Sequence, residues 1–410
     1  MGTASNARPR SQGFSLIELM VSMVIALVAT LAITALLVHG ERSKRSTTSV
    51  NDMNQAGAYV AYVLDRHIRN AGSGYSQRWS DVFGCFVNAS KAGNPVLPRA
   101  SAIASPFDNA ALVFPLAPVL IQAGAADIGG AAAEIRGDLV TVMSGTAGYS
   151  ESPPLVTISS VVGTSSSGSL RLPNTLGFQN DDIVLLADPG VPQGCMTEQV
   201  GGLPGTGGGT FTQLPLAGQY YAATGSNVAL GNFGGNTFAL QIGNPNGNPP
   251  QFMIYGVGAD RTLFGYDLLQ FGAVDAPVPL TDGIVEMRAL YGLDTTNPPD
   301  GTLDTWVLPN AASGFDAASL SDGSAGARAK LRQIVAIRLG FVLRTPLRER
   351  EMVLGSNYQT ATSSYTLTLF GDLDPAVQRT RSVAGDDRYY RFRTVEATVP
   401  LRNVLLAPAS

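Results

Sequence analysis

Charge is scarce in this chain of 410 residues: Asp, Glu, Lys and Arg together make up 14% of it, well under the roughly 25% of an average soluble domain. Lysine occurs only as Lys44, Lys91 and Lys330. None of the three follows a glycine, and a phosphate-cradling loop needs Gly-Lys followed by Ser or Thr, so nucleotide hydrolysis by that route is excluded. The formal net charge of −4 leaves no basic footprint, and no nucleic-acid partner is expected. His39 and His67 are the only histidines, and Cys85 and Cys195 the only cysteines. Zinc clusters and disulfide scaffolds are thereby excluded as organising principles, with room for one bridge at most. No G-x-S-x-G elbow occurs, and neither histidine stands where a triad or an H-E-x-x-H site could form. The run Gly205 to Gly209 stops short of G-x-G-x-x-G because Thr210 takes the final position. These absences argue against an enzyme.

Glycine is plentiful, at 46 residues, and one long apolar run is present. Residues 14–38 hold a single ionisable side chain, Glu18. As a helix they would extend about 37 Å, enough to cross a hydrocarbon core of about 30 Å. A secretory signal peptide has a shorter apolar core with a small-residue cut site after it, so this segment is read as a retained span. Arg8 and Arg10 precede it and Arg42, Lys44 and Arg45 follow it, a near tie that leaves orientation unsettled by charge. An acidic side chain at membrane depth costs roughly 2.5 to 3.5 kcal/mol and needs a partner or a task. Cleavage between Gly13 and Phe14 would place a new α-amino group one helical turn from Glu18, at a helix start whose dipole favours negative charge.

Gly13 followed by Phe14-Ser15-Leu16-Ile17-Glu18-Leu19 resembles the prepilin-peptidase site of type IV pilins and type II secretion pseudopilins. The resemblance implies a cleaved leader over residues 1–13, with Gly13 as its last residue. It implies Phe14 as the first mature residue, methylated on its nitrogen, and Glu18 as the carboxylate that docks on a neighbouring subunit's amino terminus.

Beyond the span, Val50, Met53, Val60, Val63, Leu64 and Ile68 recur at helical spacing. The helix is expected to continue amphipathically over residues 39–72, with Gly72 as its stop. His67, with no ligand-spaced companion, reads as a surface or packing residue. From residue 73 to 410 the pattern turns to short β-type runs between Gly, Pro, Asn and Ser clusters. Expected strands cover residues 111–116, 138–143, 155–162, 182–187, 252–257, 283–291, 333–343, 365–370 and 389–401. In the clearest, Val335, Ile337, Leu339, Phe341 and Leu343 share one face and Arg338 takes the other. A Gly/Asn-rich insertion near 201–250 reads as long loops between two β lobes. The fold class is therefore α+β: a long N-terminal helix, membrane-spanning in its first half, packed on a large, mainly antiparallel β headpiece.

Asp294, Asn297, Asp300 and Asp304 form the best ion candidate, since their hard oxygens could bind calcium; a polar turn between strands explains the same residues. Cys85 and Cys195 could form a disulfide if the headpiece is periplasmic.

The segments Gly283 to Asp294, Ile334 to Arg344 and Tyr390 to Asn403 resemble, in that order, the PilW family of type IV pilus minor pilins. That likeness implies a minor pilin which primes assembly, sits in a tip complex and supports adhesion and twitching motility. It implies as partners other minor pilins, the major pilin, prepilin peptidase, the inner-membrane assembly platform and a tip adhesin. The chain would be an inner-membrane, single-pass protein with a periplasmic headpiece before assembly, and part of the surface pilus afterwards. Two other readings remain open: a type II secretion minor pseudopilin of the GspJ kind, and a membrane-tethered surface-binding protein exported by the pilin route.

Overall fold

The computed structural model describes residues 15–126, 137–145, 161–189, 194–203, 212–272, 275–349, 353 and 364–407. One helix runs from Leu16 to Asn70. No proline lies between Pro9 and Pro95 to interrupt it. At its end Ala71 N donates to Ile68 O at 3.1 Å, a tightened last turn. Gly72 then takes φ +79° and donates its own N–H to Met143 O at 2.8 Å. A left-handed residue directly after the helix is what only glycine adopts without strain.

The chain divides into two compact units between Asp52 and Met53. Within the first, the large apolar side chains from Leu16 to Val38 are exposed, and among the described residues this is the one helix long and apolar enough to cross a membrane. Within the second, the helix continues amphipathically: Met53, Gly57, Val60, Leu64 and Ile68 are buried, while Tyr59 and Tyr62 are exposed. The spacing of the buried set, four and three residues apart, is the 3.6-residue period of a one-sided helix.

Among the described residues, the rest of the second unit holds three larger sheets and two small ones, with short helices between them. A four-stranded antiparallel sheet has the order Thr305–Val307, Ile284–Leu293, Ile334–Arg344, Phe392–Pro400. Its register pairs Met287 with Phe341 and Phe341 with Val395, which puts Ile337, Leu339 and Leu343 on the same face. That face receives the helix. A Cβ at Gly57 would lie 3.1 Å from Val395 Cγ2 and 3.2 Å from Leu343 Cδ2, so helix and sheet approach closely enough there that even a methyl group would press its neighbours aside by a few tenths of an ångström. The opposite face, with Leu290 and Val342, is covered by the hairpin of Tyr365–Leu369 and Arg379–Val383, whose flanking Phe370 and Val377 complete a small core. Covering from both sides explains why Ile334–Arg344 is buried at all but one of its positions.

A five-stranded antiparallel sheet, in the order Val278–Thr281, Leu263–Asp267, Gln251–Val257, Leu139–Ser144, Val119–Gln122, lies beside it. The two are tied by Tyr291, whose buried hydroxyl accepts from Ile121 N at 2.6 Å. Burial drives the Tyr291 pKa upward, so it stays a neutral phenol.

The other five-stranded sheet has the order Phe238–Gly243, Ile183–Ala187, Cys195–Gln199, Val87–Lys91, Asn94–Leu97. Its one parallel pair, Val87 beside Cys195, adjoins the Cys85–Cys195 disulfide, whose Cα atoms are 5.6 Å apart. A three-stranded sheet of Val162–Gly163, Gly168–Arg171 and Gln213–Leu216 packs against it.

Several expectations need correction. Phe238–Gly243 is a full strand, and Val228, Leu230, Phe233 and Ala239 belong to a buried core; the Gly/Asn-rich stretch is therefore not simply a set of long loops. The spacing of these four residues shows no period, yet each is covered. Residues 111–116 are not a strand: Arg99 N bonds Leu112 O, Val87 N bonds Phe114 O, and Leu116 N bonds Cys85 O, so the segment borrows partners from different places and never holds one register. Gly385–Tyr389 is a 3-10 turn, and the last strand begins only at Phe392. Of residues 155–162, 155–160 lie outside the described residues; Val162 pairs with Ser169.

Candidate functional site

At the start of the helix, Ser15 and Glu18 bond each other. The Glu18 carboxylate accepts from Ser15 N at 3.0 Å, and Glu18 N donates to Ser15 Oγ at 3.3 Å. This is a capping box, which satisfies two of the backbone donors that a helix start leaves without partners. Gly13 and Phe14, the expected processing residues, lie outside the described residues. Glu18 thus has a partner besides the amine that cleavage would create, and the S-x-x-E spacing of Ser15 and Glu18 is a signal of it readable from sequence alone.

The other end of the helix is seated by the headpiece. Asn403, on the short helix Arg402–Leu405, donates its side-chain amide to Asn70 O at 3.1 Å and Ala71 O at 3.0 Å. These carbonyls are among those a helix terminus leaves unpaired. Arg393 of the last strand bonds the side-chain oxygen of Asn54. His67 Nδ1 shares a hydrogen bond with the hydroxyl of Tyr255, and their rings meet edge to face at 5.7 Å. Burial, with the nearby Arg66, lowers the His67 pKa, so the ring is neutral at pH 7 and packs.

Behind the seat runs a chain of alternating charge. Asp138 accepts from Arg288 Nη1 at 3.1 Å, and Arg288 Nε reaches Glu286 at 2.6 Å. Arg381 Nη1 reaches the other oxygen of Glu286 at 3.2 Å, and Arg344 holds Asp387 at 2.8 Å. Asp138 also accepts from Gly124 N and Ala289 N, both at 3.0 Å. Burial raises the Asp138 pKa despite these partners. Burial works against the Arg288 charge as well, but Asp138 and Glu286 hold its pKa above the ordinary value. Pairs this buried add little net stability and much sensitivity to loss of one member.

The acidic loop after Asp294 does not gather its carboxylates around a point. Asp294 accepts from Thr296 N and Oγ1 and from Gly301 N, at 3.1, 2.7 and 2.7 Å. Asp304 accepts from Thr295 N and Oγ1 at 2.7 and 2.8 Å, and Asp300 from Thr302 N at 2.7 Å. Among the described residues no group of three or more His, Cys, Asp or Glu side chains could hold a metal ion. Asp294, Asn297, Asp300 and Asp304, the residues expected to bind calcium, thus form no such cluster of acidic side chains among the described residues. Short polar side chains in a turn bond their own backbone, and here that uses the oxygens a cation would need.

Comparison with known families gives two matches. Residues 8–34 match the prokaryotic N-terminal methylation motif, and residues 247–403 match Type IV Pilus-assembly protein W. The second segment contains the entire four-stranded sheet, its covering hairpin and Asn403. No curated protein and no solved structure gives a significant match.

Proposed function

We propose that this chain, a member of the PilW family that also carries the N-terminal methylation motif, is a minor pilin that primes type IV pilus assembly and sits in a tip complex. The observation that carries this reading is the placing of the two matched segments. One covers most of an exposed apolar helical stretch, Leu16 to Val38, that suits a membrane and a bundle of like helices. The other builds the sheet that receives residues 53–70 of that helix and caps its end through Asn403.

Assembly then has a physical account. Prepilin peptidase removes residues 1–13 and Phe14 is methylated. Glu18, until then held by Ser15 N, becomes available to the amino terminus of a neighbouring pilin. The apolar side chains exchange lipid for the helices of other minor pilins and of the major pilin as the inner-membrane platform extracts the subunit. Before extraction the headpiece faces the periplasm, where a Cys85–Cys195 bridge is sustained. A headpiece of three larger sheets and two smaller ones is bulky for a subunit stacked along a whole filament and suits a tip position beneath an adhesin, supporting adhesion and twitching motility.

The test is a deletion strain assayed for sheared surface pili and secreted exoproteins, with quantitative mass spectrometry of wild-type pili. Lost pili, normal secretion and a few copies per filament are expected. Normal pili with lost secretion would assign the chain to a type II secretion pseudopilus, and stoichiometric incorporation would overturn the tip position.

A further inference from the structure

The exposed apolar stretch of the helix stops at Val38, and Glu41, Arg42, Lys44 and Arg45 follow it on the same unbroken helix. All four are exposed. Among the described residues the side chains of Arg42, Lys44 and Arg45 form no ion pair and no hydrogen bond. Glu41 offsets one of the three cations, which leaves an excess of positive charge in a chain whose formal net charge is −4.

Their height along the helix says what they meet. Residues 16–38 make about 34 Å of helix, enough to fill a hydrocarbon core of about 30 Å with a slight tilt. Arg42 then lies about 6 Å and Arg45 about 10 Å beyond Val38 along the axis. The headgroup layer on each side is about 5 to 7 Å deep, and Lys and Arg reach along their own apolar stems to place the charge at its level. Their directions exclude a single neighbouring helix. At roughly 100° per residue Arg42 and Lys44 point about 160° apart, with Arg45 between them. One packed helix covers a stripe of roughly 100° and would leave an outer cation uncovered, whereas lipid surrounds the helix. Basic residues on the far side of a span also run against the bias that keeps them cytoplasmic, and removal of residues 1–13 takes away the opposing Arg8 and Arg10. Cations retained there against that bias need a counter-charge.

We propose that Arg42, Lys44 and Arg45 bind the phosphate groups of anionic phospholipids at the periplasmic face of the membrane. The contact holds the processed subunit at a fixed depth until it is drawn into the filament, and it rests on the span and orientation proposed above.

The test reconstitutes the full chain, carrying Arg8→Gln and Arg10→Gln so that the leader adds no cation, into phosphatidylcholine vesicles. Electron paramagnetic resonance compares the association of spin-labelled phosphatidylglycerol and spin-labelled phosphatidylcholine with it. About a five-fold preference for phosphatidylglycerol is expected at low salt, the worth of one cation beside one headgroup, fading toward parity in about 1 M NaCl. Arg42→Gln combined with Lys44→Gln and Arg45→Gln should abolish the preference and leave helicity unchanged, since glutamine is a good helix former. Glu41→Gln should raise it. Parity at low salt, a preference that salt leaves intact, or an unaffected triple variant would overturn the proposal. Parity together with loss of the triple variant from sheared pili would assign the cluster to a neighbouring pilin instead. A chain that fails to float with the vesicles would count against the span itself; one that floats without lipid preference overturns this inference alone.

Discussion

The side-chain amide of Asn403 donates to the carbonyl oxygen of Asn70 at 3.1 Å, joining two residues 333 positions apart in the chain. The same nitrogen also meets Ala71 O at 3.0 Å. A terminal segment thus closes the end of the helix that begins the chain. Asn403→Asp should be worse than Asn403→Ala, since a carboxylate would face two carbonyl oxygens. Alanine should cost about 0.5 to 1.5 kcal/mol, the net worth of a hydrogen bond whose carbonyls water can reach. Thermal melts of the two variants check the order; an aspartate variant as stable as wild type would refute the capping role.

Glu198 offers a pH signature. It is fully buried on the strand Cys195–Gln199, with one oxygen accepting from Ala222 N at 3.2 Å and the other without a partner among the described residues. Burial pushes its pKa well above the ordinary 4.5. A carboxyl whose folded pKa lies above its unfolded value contributes its full stabilisation below the unfolded pKa. That contribution is lost as pH rises from about 4.5 toward the raised folded value. Stability should therefore fall with rising pH across this window. Glu198→Gln should flatten that part of the profile and gain on wild type as pH rises above about 4.5. Parallel profiles for the two proteins in denaturant titrations would show that Glu198 is not the titrating group.

The bond between Cys85 and Cys195 closes a separation of 110 residues next to the one parallel strand pair of its sheet. Reduction, or a Cys85→Ser, Cys195→Ser double variant, should lower stability by about 2 to 5 kcal/mol. The sheet carrying Ile183–Ala187 should lose protection first in hydrogen exchange. Unaltered exchange in Val87–Lys91 and Cys195–Gln199 after reduction would contradict this.

Gly57 marks a close contact between helix and sheet. Gly57→Leu should overpack against Val395 and Leu343 and cost about 1 to 3 kcal/mol. At Gly40, where a Cβ would meet nothing within 4 Å, alanine should be neutral or favourable because it is the better helix former. Limited proteolysis of the two variants side by side separates them. Equal resistance would mean that the contact at Gly57 yields without cost.

Glu18 and Ser15 can be separated by function. Glu18→Ala should leave leader cleavage intact and impair entry into the filament. Ser15→Ala should cost only the cap, about 0.5 to 2 kcal/mol locally, and leave incorporation near normal. Immunoblots of leader removal and of sheared pili distinguish the two. If Glu18→Ala is incorporated like wild type, this subunit enters first, with no earlier amino terminus to meet.

Much of the architecture is written in local pattern. An apolar run without proline between Pro9 and Pro95 makes a helix whatever follows it, because its backbone bonds are internal. The β-branched and large apolar residues Val335, Ile337, Leu339, Phe341 and Leu343, two apart with Arg338 between, specify a strand and its faces, because period two is the geometry of the pleat. The same holds for Gly72, where a left-handed residue had to end the helix. Even the helix Ala325–Gln333, unexpected from the sequence, left a local mark in Ser324, whose side chain accepts from Ala327 N at 3.0 Å. Only the tertiary structure decided the rest. The Gly/Asn-rich stretch acquires a strand and core residues because distant partners at Ile183–Ala187 supply its hydrogen bonds. The aspartates after Asp294 turn inward on their own loop, although their spacing alone is compatible with a cation. Asp138, Glu286, Arg288, Arg344, Arg381 and Asp387, drawn from separate segments, become one ionic chain. Spacing along a chain reports only on bonds between near neighbours; long-range pairing depends on which surfaces the fold buries together, and that is settled by the whole.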